Sequence, residues 1–313
     1  MPELGALVAL VGPTAVGKSD VAIELAVALG GEIVSADSRL FYRGMDIGTA
    51  KPSPELRRRV PHHLIDVAEP EEAWSLAKYR QAAQAAIQQI QERNRLPLLV
   101  GGTGQYVTAI LEGWAPPARP QDDSLRQSYE AMAAAEGPQS LYSRLQAVDP
   151  AAADRIEPRN VRRVARALEI YELTGLPASA QQKAVPPPYR ILRLGLTLPR
   201  PELYDRIDRR IDEMIAAGLV AEVQALLDRG IGVYHPPMSA IGYKQIAEHL
   251  LGRKSLAAAV AEMRRLSRQF VRRQANWFKA GDPRIGWFEA REGVDLKLVD
   301  RVRGWLAKAP SEI

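Results

Sequence analysis

Short apolar runs alternate with amphipathic stretches in the first third of the chain. The run "ALVALVG" (6–12) is typical of a buried strand, and "SDVAIELAVALG" (19–30) repeats its apolar residues at helical spacing. The pattern continues with a strand over 32–36, a helix over 75–94 and a strand over 96–100. Strands that alternate with helices predict a parallel sheet with right-handed crossovers. We therefore expect an α/β fold with helices flanking a parallel sheet.

Two Pro-rich segments interrupt this alternation. They cover 113–123 ("GWAPPARPQDD") and 184–190 ("AVPPPYR"), and the residues between them are almost entirely helical in pattern. A strand over 191–198 and one long helix over 201–230 then return to the core pattern. The pattern predicts two domains, a core that carries the basic C-terminal helices and a mostly helical insertion: 1–112 with 191–313, and 113–190.

Composition narrows the class of protein. Hydrophobic residues make up 46% of the chain and charged residues 25%, as in globular proteins. The chain has no cysteine, which excludes a disulfide framework, a Cys-ligated zinc and a Cys nucleophile. We expect a soluble, cytoplasmic protein, because there is no signal peptide and no run of roughly 18 apolar residues. The net charge of +5 favours a polyanionic partner.

The residues that join the first strand to the first helix carry a specific motif. Gly12, Gly17, Lys18 and Ser19 satisfy the pattern G-x-x-x-x-G-K-[ST]. Glycines in such a loop let backbone N–H groups curl around an anion, and the helix N-terminus adds partial positive charge. The lysine meets the outer phosphate oxygens, and the serine can ligate magnesium. The motif predicts that a diphosphate or triphosphate binds here.

The carboxylate of nucleotide-hydrolysing P-loop proteins is missing from its usual place. In those proteins an Asp at the end of a second apolar strand holds the magnesium ion. Here the strand over 96–100 ends in "GGTG" (101–104). The candidate acid is Asp37, which follows the strand over 32–36 at the edge where open α/β sheets bind ligands. An intact phosphate cradle without the usual acid indicates a different reaction.

Two Arg-rich segments indicate a nucleic-acid partner. The segment 158–175 has an apolar stripe at helical spacing beside a row of arginines, and 263–279 repeats arginine every four residues with Glu262 as the only local countercharge. Such a helix is also common as plain solvated surface. Two of them, in a basic chain with a phosphate-binding core, favour contact with an RNA backbone. Trp277 could stack on a base, although its spacing favours a buried position.

These motifs resemble those of one enzyme family, the tRNA dimethylallyltransferases (tRNA isopentenyltransferases). The segments occur in family order from about residue 6 to about residue 280: "GPTAVGKS", "SADSRLFYRGMDIGTAKP", "PHHLIDV", "LVGGTGQY", "ARALEIYELTG", "AIGYKQ" and "RRQANWF". The resemblance implies a P-loop NTPase-like fold whose P-loop holds dimethylallyl diphosphate rather than ATP. It also implies transfer of the allyl group to N6 of the adenosine just 3′ of the anticodon in tRNA.

The resemblance further implies roles for individual residues. The diphosphate would be bound by the P-loop, at Gly12, Thr14, Ala15, Gly17, Lys18 and Ser19. Asp37 would be the general base, while Thr103 and Arg206 would stabilise the diphosphate. Contacts with tRNA would come from Asp37, Ser38, Arg39, Leu40, Thr103, Arg126, Arg162, Arg163, Arg166, Gly242, Tyr243, Lys244, Arg272, Arg273, Gln274, Trp277 and Lys279. The helical insertion would act as a lid or a tRNA clamp.

Several alternatives stay open on the sequence. Asp37 could instead be a magnesium ligand or a turn cap, although the chemistry favours the base. The chain could be an adenylate isopentenyltransferase, a small-molecule P-loop kinase or a noncatalytic RNA-binding protein. We expect a monomer that uses Mg²⁺ held at Ser19 and acts on a flipped-out adenosine of the anticodon stem-loop. His62 and His63 are expected to serve a turn or packing role, since few histidines and no cysteine are available for a transition metal.

Overall fold

The chain divides between two units of unequal size. The computed structural model describes three ranges of the chain, 5–114, 124–181 and 184–308. One unit comprises Met1–Leu111 and Pro187–Ile313, and the other comprises Glu112–Pro186. Most of the Pro-rich break predicted at 113–123 lies outside the described residues.

A parallel sheet lies at the centre of the larger unit. In the described ranges its strands are β1 (Gly5–Val11), β2 (Gly31–Ser35), β3 (His62–His63), β4 (Leu96–Gly101), β5 (Tyr189–Thr197) and β6 (Ile285–Glu289). They pair in parallel in the order β3-β2-β4-β1-β5-β6. The predicted α/β fold with a parallel sheet is confirmed.

The central strand β1 is buried on both faces. Leu7, Val8 and Leu10 are almost completely inaccessible, although they point to alternate sides of the sheet. A parallel sheet covered by helices on both faces requires this continuous apolar run rather than an alternating one. The same requirement explains why the sequence of β1 and β4 contains hardly any polar residue.

Helices surround this sheet. In the larger unit they are α1 (Lys18–Leu29), α2 (Pro54–Arg59), α3 (Leu76–Glu92), α4 (Gly104–Leu111), α9 (Arg200–Ala216), α10 (Leu219–Asp228), α11 (Tyr243–Leu250), α12 (Leu256–Ala275) and α13 (Val294–Leu306). Helix α1 packs on β2 and β4 and against α13, while α3 packs on the same two strands and against α4. Within the described ranges, no helix combines the length and the apolar character that crossing a membrane requires.

The long helix predicted over 201–230 is in fact two helices, so this prediction was wrong. Helix α9 ends at Ala216, and α10 begins at Leu219. Between them Gly218 adopts a left-handed conformation with a φ of 100°, which breaks the helix and which glycine adopts without steric cost. The apolar spacing continues across the break, so the periodicity alone did not reveal it.

The smaller unit is helical where it is described. Its helices are α5 (Ser124–Glu136), α6 (Pro138–Val148), α7 (Pro150–Ala153) and α8 (Val161–Thr174). It has its own buried cluster, to which Leu141, Leu145, Val164 and Leu168 contribute. The apolar stripe expected on α8 is therefore the side that packs into this cluster, which leaves the neighbouring face of the helix to solvent.

Candidate active site

The loop between β1 and α1 forms a concave backbone surface. Gly12 and Gly17 have φ values of 149° and 99°, and Ala15 adopts a left-handed φ of 63°. A side chain at Gly12 would place its Cβ 2.5 Å from the carbonyl oxygen of Leu196 on β5. The loop can therefore curl tightly only with glycine at this position, and successive N–H groups of such a loop can surround an anion.

Lys18 begins α1 and lies over this loop. Its Nζ donates a hydrogen bond to the carbonyl oxygen of Pro13 at 2.7 Å. Burial lowers the pKa of the Lys18 ammonium to about 8, an effect that Asp37 opposes and Arg210 reinforces. An anion bound in the loop would favour the charged form and reverse part of this shift.

A cavity of about 740 Å³ opens next to the loop. Residues that the sequence assigned to the diphosphate and to catalysis line it, namely Thr14, Ala15, Gly17, Lys18, Ser19, Asp37 and Arg206. Residues of the segment 46–57 and of α9 complete the wall, and Leu40 also faces the space. The structure therefore brings the predicted phosphate loop and the predicted acid into one cavity.

Asp37 lies two residues beyond β2 at the carboxyl edge of the sheet. Its Oδ1 accepts a hydrogen bond from the backbone N–H of Arg39 at 2.9 Å, and its own N–H donates to Ser35 Oγ at 3.3 Å. Among the described residues, Oδ2 has no hydrogen-bond partner. The carboxylate thus shapes a turn with one oxygen while the other stays available to a ligand.

Thr103 is held beside Asp37 by the chain itself. The N–H of Ser38 donates to Thr103 Oγ1 at 3.3 Å, and the N–H of Thr103 donates to the carbonyl oxygen of Ala36 at 3.3 Å. A side chain at Gly101 would place its Cβ 2.3 Å from that same Ala36 oxygen. This close approach leaves no room for a side chain at position 101, the last residue of β4.

Two arginines of α9 face the P-loop, of which only Arg206 is predicted from the sequence. Arg206 Nη1 donates to the carbonyl oxygen of Val16 at 3.3 Å. Arg210, one helical turn later, lines the same cavity; burial lowers the pKa of its guanidinium, while Asp37 and Asp20 oppose that shift. The four-residue spacing from Arg206 was the signal that could have revealed Arg210, because residues four apart share a helix face.

Several residues assigned to tRNA have roles inside the protein. Arg39 donates from Nη1 to the carbonyl oxygen of Pro236 at 3.3 Å and from Nη2 to Ser239 Oγ at 3.2 Å. The ring of Tyr243 is buried and its hydroxyl donates to Glu222 at 2.5 Å, whereas Lys244 is exposed. Gly242, with a φ of 103°, is the N-cap of α11, the helix that carries Tyr243 and Lys244.

The arginines of helix α12 differ in whether they pair with acids of α9. Arg264 pairs with Asp212 and Arg268 with Asp208 on α9, both at 2.6 Å, so countercharges for this helix come from α9 in addition to the local Glu262. Acids from a distant part of the chain were not visible in the local sequence. The residues at the end of the helix, Arg272 and Arg273, are exposed.

The segment after these two arginines alternates between buried and exposed side chains. Gln274 is buried, while Trp277 and Lys279 are exposed. Trp277 is 46% accessible, so the buried position favoured for it was wrong. It follows the end of α12, and the helical spacing used to bury it does not continue that far.

The arginines of the smaller unit differ in whether they lie close to an acidic side chain. Arg166 pairs with the buried Glu169 at 2.6 Å, and Arg126 Nε lies 4.0 Å from Glu130. Arg162 and Arg163 are exposed in the first turn of α8. Within the described residues neither of these two side chains is in an ion pair, so both are accessible to a polyanion.

His63 has a structural partner. Its Nε2 lies 2.7 Å from Oε2 of the buried Glu32, which Arg93 also contacts at 2.7 Å. Among the described residues, no group of three or more His, Cys, Asp or Glu side chains is placed to hold a metal ion. The cavity does offer a hydroxyl at Ser19 and a carboxylate at Asp37, and such oxygen donors suit Mg²⁺ when phosphate oxygens supply further ligands.

Comparison with known proteins gives consistent matches over nearly the whole chain. A model of the IPP transferase family matches residues 40–281. The chain is 53% identical over 273 residues to a tRNA dimethylallyltransferase of Roseiflexus castenholzii, covering 87% of this chain and 89% of that protein. It is 51% identical over 304 residues to a tRNA dimethylallyltransferase of Herpetosiphon aurantiacus, covering 97% and 96%.

Solved structures resemble it as well. A tRNA isopentenylpyrophosphate transferase from Bacillus halodurans superposes with a TM-score of 0.72 at 42% identity, covering 96% of each chain. A eukaryotic dimethylallyltransferase, described as acting on tRNA, superposes with a TM-score of 0.79 at 25% identity. That match covers 96% of this chain and 77% of the other.

The lowered pKa of Lys18 predicts a pH-dependent affinity for inorganic diphosphate. Above a pH of about 8 the free lysine is neutral and must take up a proton to meet the anion, so affinity should fall by about tenfold per pH unit at most. Titration calorimetry at fixed Mg²⁺ measures both the affinity and the proton uptake. The control is Lys18→Arg, whose charge persists over this range. Identical pH profiles for the two proteins would contradict the prediction.

Arg210 is expected to contribute to anion binding directly. Arg210→Ala should weaken binding of inorganic diphosphate by roughly tenfold, because a charge-assisted hydrogen bond is lost. The matched control is Arg209→Ala, which removes the same charge from an exposed position of the same helix. The control should change affinity by less than about twofold at moderate salt. Equal losses in both variants would assign the effect to net charge alone.

Proposed function

The chain belongs to the IPP transferase family, and from this premise we propose that it is a tRNA dimethylallyltransferase. It transfers a dimethylallyl group from dimethylallyl diphosphate to N6 of the adenosine just 3′ of the anticodon. A bond forms between N6 and C1 of the allyl group, the bond from C1 to the diphosphate oxygen breaks, and N6 loses one proton. Inorganic diphosphate is the leaving group.

One observation carries this proposal. Among the charged side chains that line the cavity, three cations and one carboxylate border the P-loop end of it: Lys18, Arg206, Arg210 and Asp37. The reaction needs the same combination, because negative charge grows on the departing diphosphate while the attacking nitrogen becomes more acidic. The names of the relatives at 51–53% identity support the same activity.

The cations act on the leaving group. Departure of diphosphate leaves positive character on C1 and additional negative charge on the phosphate oxygens, so groups that meet this charge lower the barrier. Lys18 and the P-loop N–H groups hold the outer oxygens, and Arg206 and Arg210 approach from α9. Their positions are set before the substrate arrives, by the Pro13 carbonyl for Lys18 and the Val16 carbonyl for Arg206.

Asp37 receives the proton from N6. The exocyclic amine of adenine is a weak nucleophile, because its lone pair is conjugated with the ring. A carboxylate within hydrogen-bond reach aligns the N–H group and accepts its proton as the new bond forms. Oδ2 is the oxygen assigned to this task, since Oδ1 is already bonded to the N–H of Arg39.

Mg²⁺ fits this site as a cofactor. Ser19 would hold it together with phosphate oxygens, as the P-loop motif implies. When bound, the ion would neutralise part of the diphosphate charge. Thr103 is assigned a hydrogen bond to the phosphate or to water near it.

Each unit has exposed basic residues that are proposed to contact RNA. On the larger unit these are Lys244, Arg272, Arg273 and Lys279, with Trp277 as an aromatic platform on which a base could stack. On the smaller unit they are Arg162 and Arg163, which supports its proposed role as a tRNA clamp. The target adenosine must leave its stack to reach a cavity inside the protein, so base flipping is part of the proposal. We further propose that the enzyme acts as a monomer in the cytoplasm.

A single assay distinguishes this function from its rivals. The protein is incubated with dimethylallyl diphosphate, Mg²⁺ and unmodified tRNA, and the nucleosides are then analysed by mass spectrometry. We expect adenosine to gain the mass of one C5H8 unit, with no gain on free adenylate. Parallel reactions with ATP should release little phosphate. Prenylation of adenylate but not tRNA, or tRNA-stimulated ATP hydrolysis without prenylation, would overturn the proposal.

Replacing Asp37 separates its possible roles. Asp37→Asn keeps the shape of the side chain and an oxygen that can accept from Arg39 N–H, but it removes the basic carboxylate. If Asp37 is the general base, kcat should fall by roughly 10²- to 10⁴-fold with little change in tRNA or diphosphate affinity. The matched control is Asp205→Asn, at an exposed position on α9, which should behave as wild type.

The other roles of Asp37 lead to different results. If Asp37 is a magnesium ligand, Asp37→Asn should weaken diphosphate binding, and excess Mg²⁺ should restore part of the affinity. If Asp37 is only a turn cap, Asp37→Asn should lower the stability of the protein by about 1 kcal/mol and leave kcat within a few-fold of wild type. Single-turnover kinetics together with diphosphate titrations distinguish all three.

A further inference from the structure

Gln274 is a buried polar residue in an otherwise exposed stretch of α12. It is 4% accessible, whereas Arg273 before it and Ala275 after it are exposed. The buried positions nearby, Val271 and Phe278, are apolar. An unpaired carboxamide is costly to bury in such surroundings, so a glutamine here indicates that hydrogen bonds are required.

Both ends of the Gln274 amide are bonded to backbone groups of the active-site loops. Its Oε1 accepts from the N–H of Thr14 at 2.9 Å, and its Nε2 donates to the carbonyl oxygen of Gly102 at 3.0 Å. Thr14 belongs to the P-loop, and Gly102 directly precedes Thr103 after β4. One side chain thus holds the loop that follows β1 and the loop that follows β4 at a fixed separation.

The "GGTG" segment (101–104) is shaped to receive this end of α12. A side chain at Gly102 would place its Cβ 2.2 Å from Gln274 Nε2, and one at Gly104 would place its Cβ 2.0 Å from Trp277 Cγ. Neither distance leaves room for a methyl group. The side chains of Gln274 and Trp277 therefore pack directly against the backbone of the loop at its two glycines.

We propose that Gln274 is a positioning residue that holds the P-loop in its anion-binding shape and links it to the RNA surface. It acts through the Thr14 N–H and the Gly102 carbonyl. Arg272, Arg273 and Trp277, which we assign to tRNA, lie within three residues of it. Any shift of this helix end on RNA binding therefore moves the Thr14 amide. This second part rests on the proposed function, because it takes tRNA as the ligand of that surface.

Two variants test the positioning role without RNA. Gln274→Leu keeps approximate volume but removes the partner of the part-buried Thr14 N–H and of the buried Gly102 carbonyl, and Gln274→Glu keeps the acceptor for Thr14 while placing a carboxylate against the Gly102 oxygen. Both should weaken binding of inorganic diphosphate with Mg²⁺ by about tenfold or more, measured by calorimetry. The control is Gln269→Leu, at an exposed position of the same helix. It should change the affinity for diphosphate by less than about twofold.

A second arm tests the link to RNA. The dissociation constant for diphosphate is measured with and without unmodified tRNA. In wild type the two values should differ by several-fold, and in the Gln274 variants their ratio should move toward one. Their own affinity for tRNA alone should stay within about twofold of wild type. Weakened tRNA binding with unchanged diphosphate binding would make Gln274 an RNA contact and overturn the proposal. A wild-type ratio of one would overturn the link between the two surfaces.

A third measurement avoids the risk that a Gln274 variant does not fold. Hydrogen exchange of the wild-type protein, followed in peptides that cover residues 12–18, should slow when tRNA binds without diphosphate. Unchanged exchange there would overturn the link. If the protein binds tRNA without prenylating it, all three arms still report on Gln274, so failure of the proposed reaction remains distinguishable from failure of this inference.

Discussion

The active site depends on how closely the backbone turns approach one another at the carboxyl edge of the sheet. Gly12 lies against the Leu196 carbonyl, and Gly101 lies against the Ala36 carbonyl, with no space for a side chain at either glycine. The first contact lets the P-loop curl beside β5. The second leaves no room for a side chain at the last residue of β4, and the carboxylate of the site lies after the neighbouring strand, at Asp37.

Within this frame, positive charge is concentrated before any anion arrives. Lys18, Arg206 and Arg210 converge on one cavity, and burial lowers the pKa of two of them, Lys18 and Arg210. Such a cluster is unfavourable for the empty protein and becomes favourable when a diphosphate neutralises it. Asp37 opposes both shifts, so the proposed base also helps keep the cations charged. In the proposed mechanism, anion binding and proton transfer therefore depend on the same electrostatic balance.

The arginines of helix α12 belong to two groups. Those in the middle, Arg264 and Arg268, are paired with acids of α9, which fixes the helix against the core. Those at the end, Arg272 and Arg273, are exposed, and the RNA contacts that we propose for them would be made to phosphates, the source of sequence-independent affinity. Between these arginines and Trp277 lies Gln274, bonded to both active-site loops. Structural support, the proposed RNA contacts and the proposed loop positioning thus follow one another within a few turns of helix.

Features that depend on neighbouring residues could be predicted from the sequence alone: the apolar runs of the strands, the P-loop spacing that ends in Lys18 and Ser19, and Asp37 at a strand end. These follow from local periodicity and motif chemistry. Other features depend on how the elements pack: the break at Gly218, the exposure of Trp277, the ion pairs of Arg264 and Arg268, and the presence of Arg210 in the cavity. Thr14 and Gln274 are 260 residues apart. No local pattern encodes such a bond, because it exists only once distant elements have packed together.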